Sequence, residues 1–269
     1  MKMLSAAVGP LVLAAGLTVS GPAAAAAGPE DTPPEVDGLG SSEAVDPHAD
    51  RILREMGEYL ASATEYTFAA EVLYDSVGSN DEKTLFAGRV EVSVSRPDRL
   101  HVRYDGDERR SRIVLDGPTF TFLDVVSNLY ARMEVPTGID AAVDTVFETV
   151  GQSVPIADLV YADPYATLIE SAETGFVVGR PEVDGAPCHH LAFSNEAIDW
   201  QIWIEDGPRP VPRRLVITYR NEPGSPQYIA GLSGWDFHPR LSKPYFVFRP
   251  PAGSEEIEFL SVEGEEVAP

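Results

Sequence analysis

The sequence predicts an α+β protein built on a strongly curved, meandering antiparallel sheet of about 11 strands. Apolar and polar residues alternate over long segments, and short turns rich in Asn, Asp, Gly and Pro separate these segments. One block with helical spacing interrupts the strands in mid-chain. The first two strands run to about 11 residues, or roughly 36 Å, which is long for a flat sheet and indicates curvature.

Composition narrows the classes of function. The 269 residues, 43% of them hydrophobic, can bury a substantial core in one large domain or two small ones. The 20 basic and 43 acidic residues give a net charge of −23. Such a surface repels polyphosphate and anionic headgroups, which argues against nucleic-acid binding and against a polybasic membrane anchor. A basic protein partner stays open.

The N-terminal region predicts export. A positive start, a short apolar run and an Ala-x-Ala site identify residues 1–27 as a cleavable signal peptide, so the protein is expected in the periplasm or outside the cell. The run is too short for a spanning helix, so no transmembrane segment is expected in the mature chain. Residues 28–45 are predicted to be a disordered linker, 46–260 a single domain and 261–269 an acidic tail.

The first half of the domain changes from helical to strand periodicity. Asp46 as N-cap and Pro47 at the first helical position predict a helix with one apolar stripe. From Glu65 the period becomes two, and the short turns that follow require antiparallel neighbours. Strands are expected at 65–75, 84–94, 100–104, 112–115, 119–123 and 129–135.

Residues 137–172 form the helical block. Apolar residues recur at spacings of three and four from Ile139 to Val150, and Gly151 ends this helix. A short helix is expected at 155–161, and Asp163-Pro164 repeats the capping device of the first helix. Because strands flank the block on both sides, it is interpreted as an insertion that covers the sheet.

The second half returns to strands. In the segment 200–205, Trp200, Ile202 and Ile204 share one face while Trp203 lies on the other, which indicates that both faces are at least partly covered. The strands of this half are expected at 175–180, 188–193, 200–205, 214–220, 227–235 and 245–248.

No pattern in the chain predicts catalysis or metal binding. His189 and His190 are adjacent on a strand and therefore point to opposite faces, so they cannot hold one ion together. Paired-cysteine, His-x-His, nucleophile-elbow and phosphate-loop motifs are missing from the sequence. We therefore expect no enzyme, no cofactor and no metal. Cys188, the single cysteine, is expected to be a small buried hydrophobe.

Several short motifs in this order resemble a family of predicted periplasmic proteins of unknown function. The resemblance covers roughly residues 46–260, and its motifs are Asp46-Pro47, Arg96-Pro97-Asp98-Arg99-Leu100, Asp116-Gly117, Tyr161-Ala162-Asp163-Pro164-Tyr165, Val183-Asp184-Gly185, Asp199-Trp200-Gln201-Ile202-Trp203-Ile204 and Phe248-Arg249-Pro250-Pro251-Ala252-Gly253. That family is similar to the lipoprotein-carrier superfamily that includes LolA, LolB and RseB. The resemblance implies an open half-barrel with helices across its concave face, and a hydrophobic cavity that takes acyl chains. Some relatives are lipid-anchored, but this chain has no cysteine after its apolar run.

The hypothesis favoured by these signs is a carrier that holds an acyl chain, lipid or lipoprotein in that cavity. A sensor or protein-interaction module without lipid cargo is the alternative, and a hydrolase using His189 or His190 is the third. Any single apolar residue more often belongs to the packed core under the helices than to a ligand site. The candidates for lining the cavity are Phe120, Phe122, Phe147, Tyr161, Trp200, Ile202 and Ile204.

Overall fold

The first helix forms as its sequence predicts. The computed structural model describes residues 44–78, 80, 82–151 and 155–259, so the predicted signal peptide, most of the linker and the acidic tail lie outside the described residues. Helix α1 (Pro47–Ala61) begins at Asp46, whose Oδ1 accepts a hydrogen bond from His48 N at 2.8 Å. Its apolar stripe is buried and comprises Ala49, Ile52, Leu53, Met56 and Leu60.

Six strands follow α1 as an antiparallel meander. Tight turns connect them, and Gly117 and Asn128 occupy turn positions with φ of 62° and 59°. Such short connections leave each strand beside its predecessor. The strands are β1 (Glu65–Val77), β2 (Lys83–Ser95), β3 (Arg99–Gly106), β4 (Arg110–Asp116), β5 (Thr119–Asp124) and β6 (Leu129–Glu134).

The mid-chain block is helical, as predicted. Helix α2 (Ile139–Val150) ends at Gly151, which adopts the left-handed conformation with φ of 69°. A 3-10 helix (Pro155–Leu159) comes next, and α3 (Pro164–Ile169) starts where Asp163 Oδ1 accepts from Ala166 N at 2.9 Å. The described helices include none that is long and apolar enough to cross a membrane.

The remaining strands complete the same sheet. The sheet has 13 strands, of which 12 lie in the order β13-β6-β5-β4-β3-β2-β1-β12-β11-β10-β9-β7, while β8 pairs with β9 alone. The strands of this half are β7 (Thr174–Gly179), β8 (Glu182–Val183), β9 (Ala186–Ser194), β10 (Ile198–Glu205), β11 (Pro212–Tyr219), β12 (Gln227–Asp236) and β13 (Glu255–Ile257).

The predicted α+β half-barrel class is confirmed, because the sheet is open and almost wholly antiparallel. β13 pairs with β6 in parallel and is the exception. The count of about 11 strands omitted the short strands β8 and β13. The strand expected at 245–248 was wrong, since a 3-10 helix (Lys243–Phe246) includes residues 245 and 246, and residues 247 and 248 are not in a strand. Pro244 sits in its first turn, where the missing N–H costs no hydrogen bond.

Different segments of the chain pack on the two faces of the sheet. Tyr66 on β1 donates its hydroxyl to Leu159 O at 3.0 Å, so the face that carries Tyr66 is the helix-side face. Directly paired residues in antiparallel strands point the same way, which extends this face across the sheet. On the opposite face, the hydroxyls of Ser93 and Tyr245 lie 3.1 Å apart, so the 3-10 helix Lys243–Phe246 covers part of that face.

One arginine fastens the helical block to the sheet. Arg96, just after β2, donates from Nη1 to Val160 O at 3.1 Å and from Nη2 to Tyr161 O at 2.7 Å. It also donates from Nε to Ala63 O at 3.2 Å, next to the end of α1. A guanidinium has five fixed donors, so one side chain can satisfy carbonyls from two separate segments.

Candidate functional site

The helix-side face is sealed on the half formed by β1 and β9–β12. Trp200, Ile202 and Ile204 of β10 are fully buried there with no exposed area, and Trp200 packs against the Phe193 ring at 4.3 Å between centroids. These three predicted cavity residues therefore lie in the packed core beneath α1. Trp203 lies on the opposite face and stacks on His190 at 3.9 Å between ring centroids.

A bulge extends this packing to the end of β12. The register between β1 and β12 shifts between Thr67 and Ala69, and Gly234 has φ of 66° beside it. A bulge adds one residue to a strand, so Trp235 stays on the helix-side face. Its ring stacks on Phe68 at 4.5 Å between centroids, and its Nε1 donates to Pro212 O at 3.1 Å.

The half formed by β2–β6 is different, because its helix-side face keeps apolar side chains that are only half-buried. We call this set the open strip. Its members share one face: Val102 pairs with Ile113, and Phe120 pairs with Met133 in the neighbouring strands. The open strip consists of Phe86, Val102, Tyr104, Ile113 and Met133, all in contact with the core.

Two of the predicted cavity residues form the floor of this region. Phe120 and Phe122 of β5 are 7% and 4% exposed and lie on the helix-side face between members of the open strip. Phe122 pairs with Ile113, and Phe120 pairs with Met133. The structure therefore brings Phe120 and Phe122 together with the open strip and leaves the β10 candidates in the sealed half.

Helix α2, which follows β6 in the chain, also keeps most of its apolar side chains half-buried. It begins beside the β2–β3 turn, where Ile139 N donates to Pro97 O at 2.9 Å. Only Ile139 and Ala142 of this helix are buried. Val143 and Val146 are half-buried against the core, and Phe147, another predicted cavity residue, is also half-buried. An apolar helix with so little buried surface leaves hydrophobic area available to another molecule.

Tyr161, the last predicted cavity residue, holds α2 rather than lining free space. Its hydroxyl donates to Asp144 Oδ1 at 2.8 Å, and Ala162 N donates to Asp140 Oδ1 at 2.9 Å. Burial and the Asp144 carboxylate raise the pKa of Tyr161 well above its ordinary value, so the phenol stays protonated and keeps donating. Tyr161 therefore tethers the N-terminal half of α2.

The end of the open strip has a feature that the sequence analysis missed. The Tyr104 ring lies over Gly88 and Gly106, and a Cβ on Gly88 would be 2.6 Å from the ring. The guanidinium of Arg109 lies above the same ring, with Cζ 5.3 Å from its centroid. Two facing glycines on paired strands are a signal for such close packing, because they leave room for a ring.

The candidate titratable groups are kept apart. His189 lies beside His48 of α1 at 6.5 Å between ring centroids, whereas His190 faces the other way and contacts Gln201 Oε1 at 2.8 Å. Burial lowers the pKa of both imidazoles. In the described parts of the chain, no group of three or more His, Cys, Asp or Glu is placed to hold a metal ion. Cys188 is a free thiol and is fully buried, as predicted.

A separate depression of about 360 Å³ lies beyond α3, between the loop that precedes β7 and the β9–β10 turn. It is open, and acidic and small residues line it, so it lacks the apolar lining of an acyl-chain site. Its lining residues are Glu170, Ser171, Ala172, Glu173, Asn195, Glu196 and Ala197.

The model of one protein family matches residues 49–260, and its description is "Predicted periplasmic protein (DUF2092)". The match agrees with the resemblance drawn from the sequence motifs and with the predicted periplasmic location. A comparison with curated proteins finds no match.

Several solved structures are similar to this fold at low sequence identity. An uncharacterized conserved protein from Thermus thermophilus is 11% identical, with a TM-score of 0.45 over 78% of this chain and 99% of its own. LprF from Mycobacterium bovis is 10% identical, with a TM-score of 0.42 over 71% and 94%. A LolA superfamily protein from Nitrosomonas europaea is 11% identical, with a TM-score of 0.37 over 74% and 97%.

Proposed function

The chain belongs to the family of predicted periplasmic proteins whose model it matches, and from that premise we propose that it binds an acyl chain, lipid or lipoprotein. The ligand would lie between α2 and the open strip. The observation that carries this proposal is the half-buried apolar surface on the helix-side face of β2–β6, together with the half-buried apolar residues of α2. Cargo binding distinguishes this proposal from a sensor or interaction module without lipid.

The driving force would be the removal of apolar surface from water on both partners. Each methylene that leaves water contributes roughly 0.8 kcal/mol, so an acyl chain gains affinity with its length. From Met133 on β6 to Val102 on β3 the open strip crosses three interstrand spacings, or about 14 Å. This distance accommodates a chain of many methylenes laid across the strands.

Helix α2 would act as the lid. Its first turns are fixed by Ile139, Ala142 and the Tyr161–Asp144 hydrogen bond, whereas Val146 and Phe147 in its second half are only half-buried. A helix that is anchored at one end can lift its other end at the cost of few buried contacts. Lifting that end would admit the chain, and closing it would cover the chain.

The test is native mass spectrometry with organic extraction on protein exported and purified without detergent, followed by titration with 1-dodecanol. We expect a bound apolar species, or uptake of dodecanol that displaces the fluorescent probe N-phenyl-1-naphthylamine. Ile113→Glu places a charge in the open strip and should weaken dodecanol binding at least tenfold.

Leu85→Glu is the matched control, because Leu85 is 60% exposed and lies on the opposite face. It should bind dodecanol like the unmodified protein. A folded protein that carries no apolar species and takes up none would refute the proposal and favour an interaction module. If both substitutions weakened dodecanol binding equally, the proposed position of the ligand on the open strip would also be contradicted.

A further inference from the structure

Arg109 lies where the open strip ends. It occupies the turn between β3 and β4, and its guanidinium sits above the Tyr104 ring with Cζ 5.3 Å from the centroid. Tyr104 is itself a member of the open strip on the helix-side face. The ring rests on the glycine pair Gly88 and Gly106, which pair directly across β2 and β3. The cation is therefore fixed over the sheet rather than extended into solvent.

Two donors of this cation are buried and unused. Among the described residues, Nε and Nη1 of Arg109 have no hydrogen-bond partner, although both atoms are inaccessible to solvent. The described part of the chain also places no carboxylate within ion-pair distance of this guanidinium. A buried charged donor without a partner is costly, and such groups are normally paired.

Two acidic side chains near Arg109, one beside it in the chain and one next to the residue whose N–H bonds Arg110 O, have hydrogen-bond partners of their own. The carboxylate of Glu108 accepts the Tyr74 hydroxyl from β1. Asp124 caps the β5–β6 turn, where its Oδ1 accepts from Val126 N at 2.8 Å and from Ser127 N at 3.1 Å. Each of these two carboxylates thus holds another donor, and among the described residues neither forms an ion pair with Arg109.

We propose that Arg109 binds the anionic head group of the acyl ligand, a carboxylate or a phosphate, while the chain lies along the open strip. This assignment rests on the proposed function. A guanidinium presents parallel N–H donors that match either group. The overall charge of −23 repels anions in general, so preference for an anionic head group requires a local cation of this kind.

Three ligands with the same 12-carbon chain test the assignment: dodecanoate and dodecyl phosphate, each below its micelle concentration, and uncharged 1-dodecanol below its solubility limit. Their affinities are measured by displacement of N-phenyl-1-naphthylamine from the full exported protein. A charge-assisted hydrogen bond in a buried site corresponds to about tenfold or more in affinity. We expect at least one of the two anions to bind about tenfold more tightly than dodecanol, and the stronger anion identifies the head group.

The variants separate this site from general surface charge. Arg109→Gln should remove the preference, so that the anions and dodecanol bind with similar affinity, and Arg109→Lys should keep part of the preference. Arg110→Gln is the matched control, because Arg110 is the next residue and its side chain is exposed. It should keep the full preference.

Each outcome decides something. Equal affinity for all three ligands, or the same loss in Arg109→Gln and Arg110→Gln, overturns the head-group assignment and leaves acyl binding intact. Binding of none of the three ligands by a folded protein overturns the assignment and the proposed function together.

Discussion

The contact between α1 and α3 makes a glycine necessary in the middle of a helix. A Cβ on Gly57 would lie 2.7 Å from the backbone N and 2.9 Å from the Cα of Tyr165, and closer still to its Cβ. Carbon atoms in good contact are about 3.5–4.0 Å apart. Because the obstructing atoms belong to the backbone of α3, no side-chain rotation relieves the overlap. Gly57→Ala must push α3 away by about 1 Å.

Two effects of opposite sign compete in Gly57→Ala. Alanine is favoured over glycine in a helix interior by about 1 kcal/mol. Overpacking of a tight contact costs about 1–3 kcal/mol. The shift of α3 also strains the contacts of Tyr165, which donates to Asp50 and lies under the Arg54 guanidinium at 3.9 Å from Cζ to the ring centroid. We expect packing to win, with a net loss of about 1–2 kcal/mol in the free energy of unfolding.

Urea unfolding measures this loss. With an m-value of about 2 kcal/mol per M, the midpoint should fall by about 0.5–1 M. Gly207→Ala is the control, since a Cβ there meets nothing within 4 Å and the residue has no positive φ. It should leave the midpoint unchanged or raise it slightly. If Gly57→Ala proves as stable as the unmodified protein, helix propensity outweighs the contact and the reasoning fails.

Two other predictions concern stability. Arg96→Met removes the hydrogen bonds to Ala63, Val160 and Tyr161 and should cost about 3 kcal/mol in the free energy of unfolding by urea, whereas Arg103→Met, which loses an exposed ion pair, should cost less than about 1 kcal/mol. Burial lowers the pKa of His101 below its ordinary 6.5, so the unfolded chain binds more protons, and stability should fall as the pH drops below about 6.5. Urea midpoints at about pH 7.5 and 5.5 should differ less in His101→Gln, and an unchanged difference would contradict the prediction.

Much of the fold could be predicted because its signals are local. Asp46-Pro47 and Asp163-Pro164 each place a capping carboxylate and a proline at the start of a helix, and both helices begin there. The alternation along Trp200–Ile204 correctly separates a buried face from a half-buried one. Such signals depend only on neighbours in sequence, so they can be recognised without knowing the tertiary contacts.

The failures arise from contacts between distant parts of the chain. Tyr245 and Val247 alternate with Phe246 like strand residues, but Tyr245 and Phe246 lie in a 3-10 helix. Phe246 is buried, and Tyr245 packs against His101 at 4.7 Å between ring centroids. No pattern in the sequence distinguishes the residues of the open strip from those of the packed core. Ile113 and Ile202 are the same residue type with the same alternation, and only the position of the helices makes one half-buried and the other sealed.

Under the proposed function, one half of the sheet provides stability and the other half admits the ligand. β1 pairs with both β2 and β12, so the halves share a continuous hydrogen-bonded sheet. Helix α1 packs on the sealed half, formed by β1 and β9–β12. Arg96 connects the helical block to the sheet by donating both to Ala63 O, after α1, and to Tyr161 O, in the block. On the helix-side face of β2–β6 the open strip stays half-buried, and α2 is held mainly by its first turns. Under the proposed function, the far end of α2 can therefore move for a ligand while the packing around Trp200 keeps the strands, and with them Tyr104 and Arg109, in place.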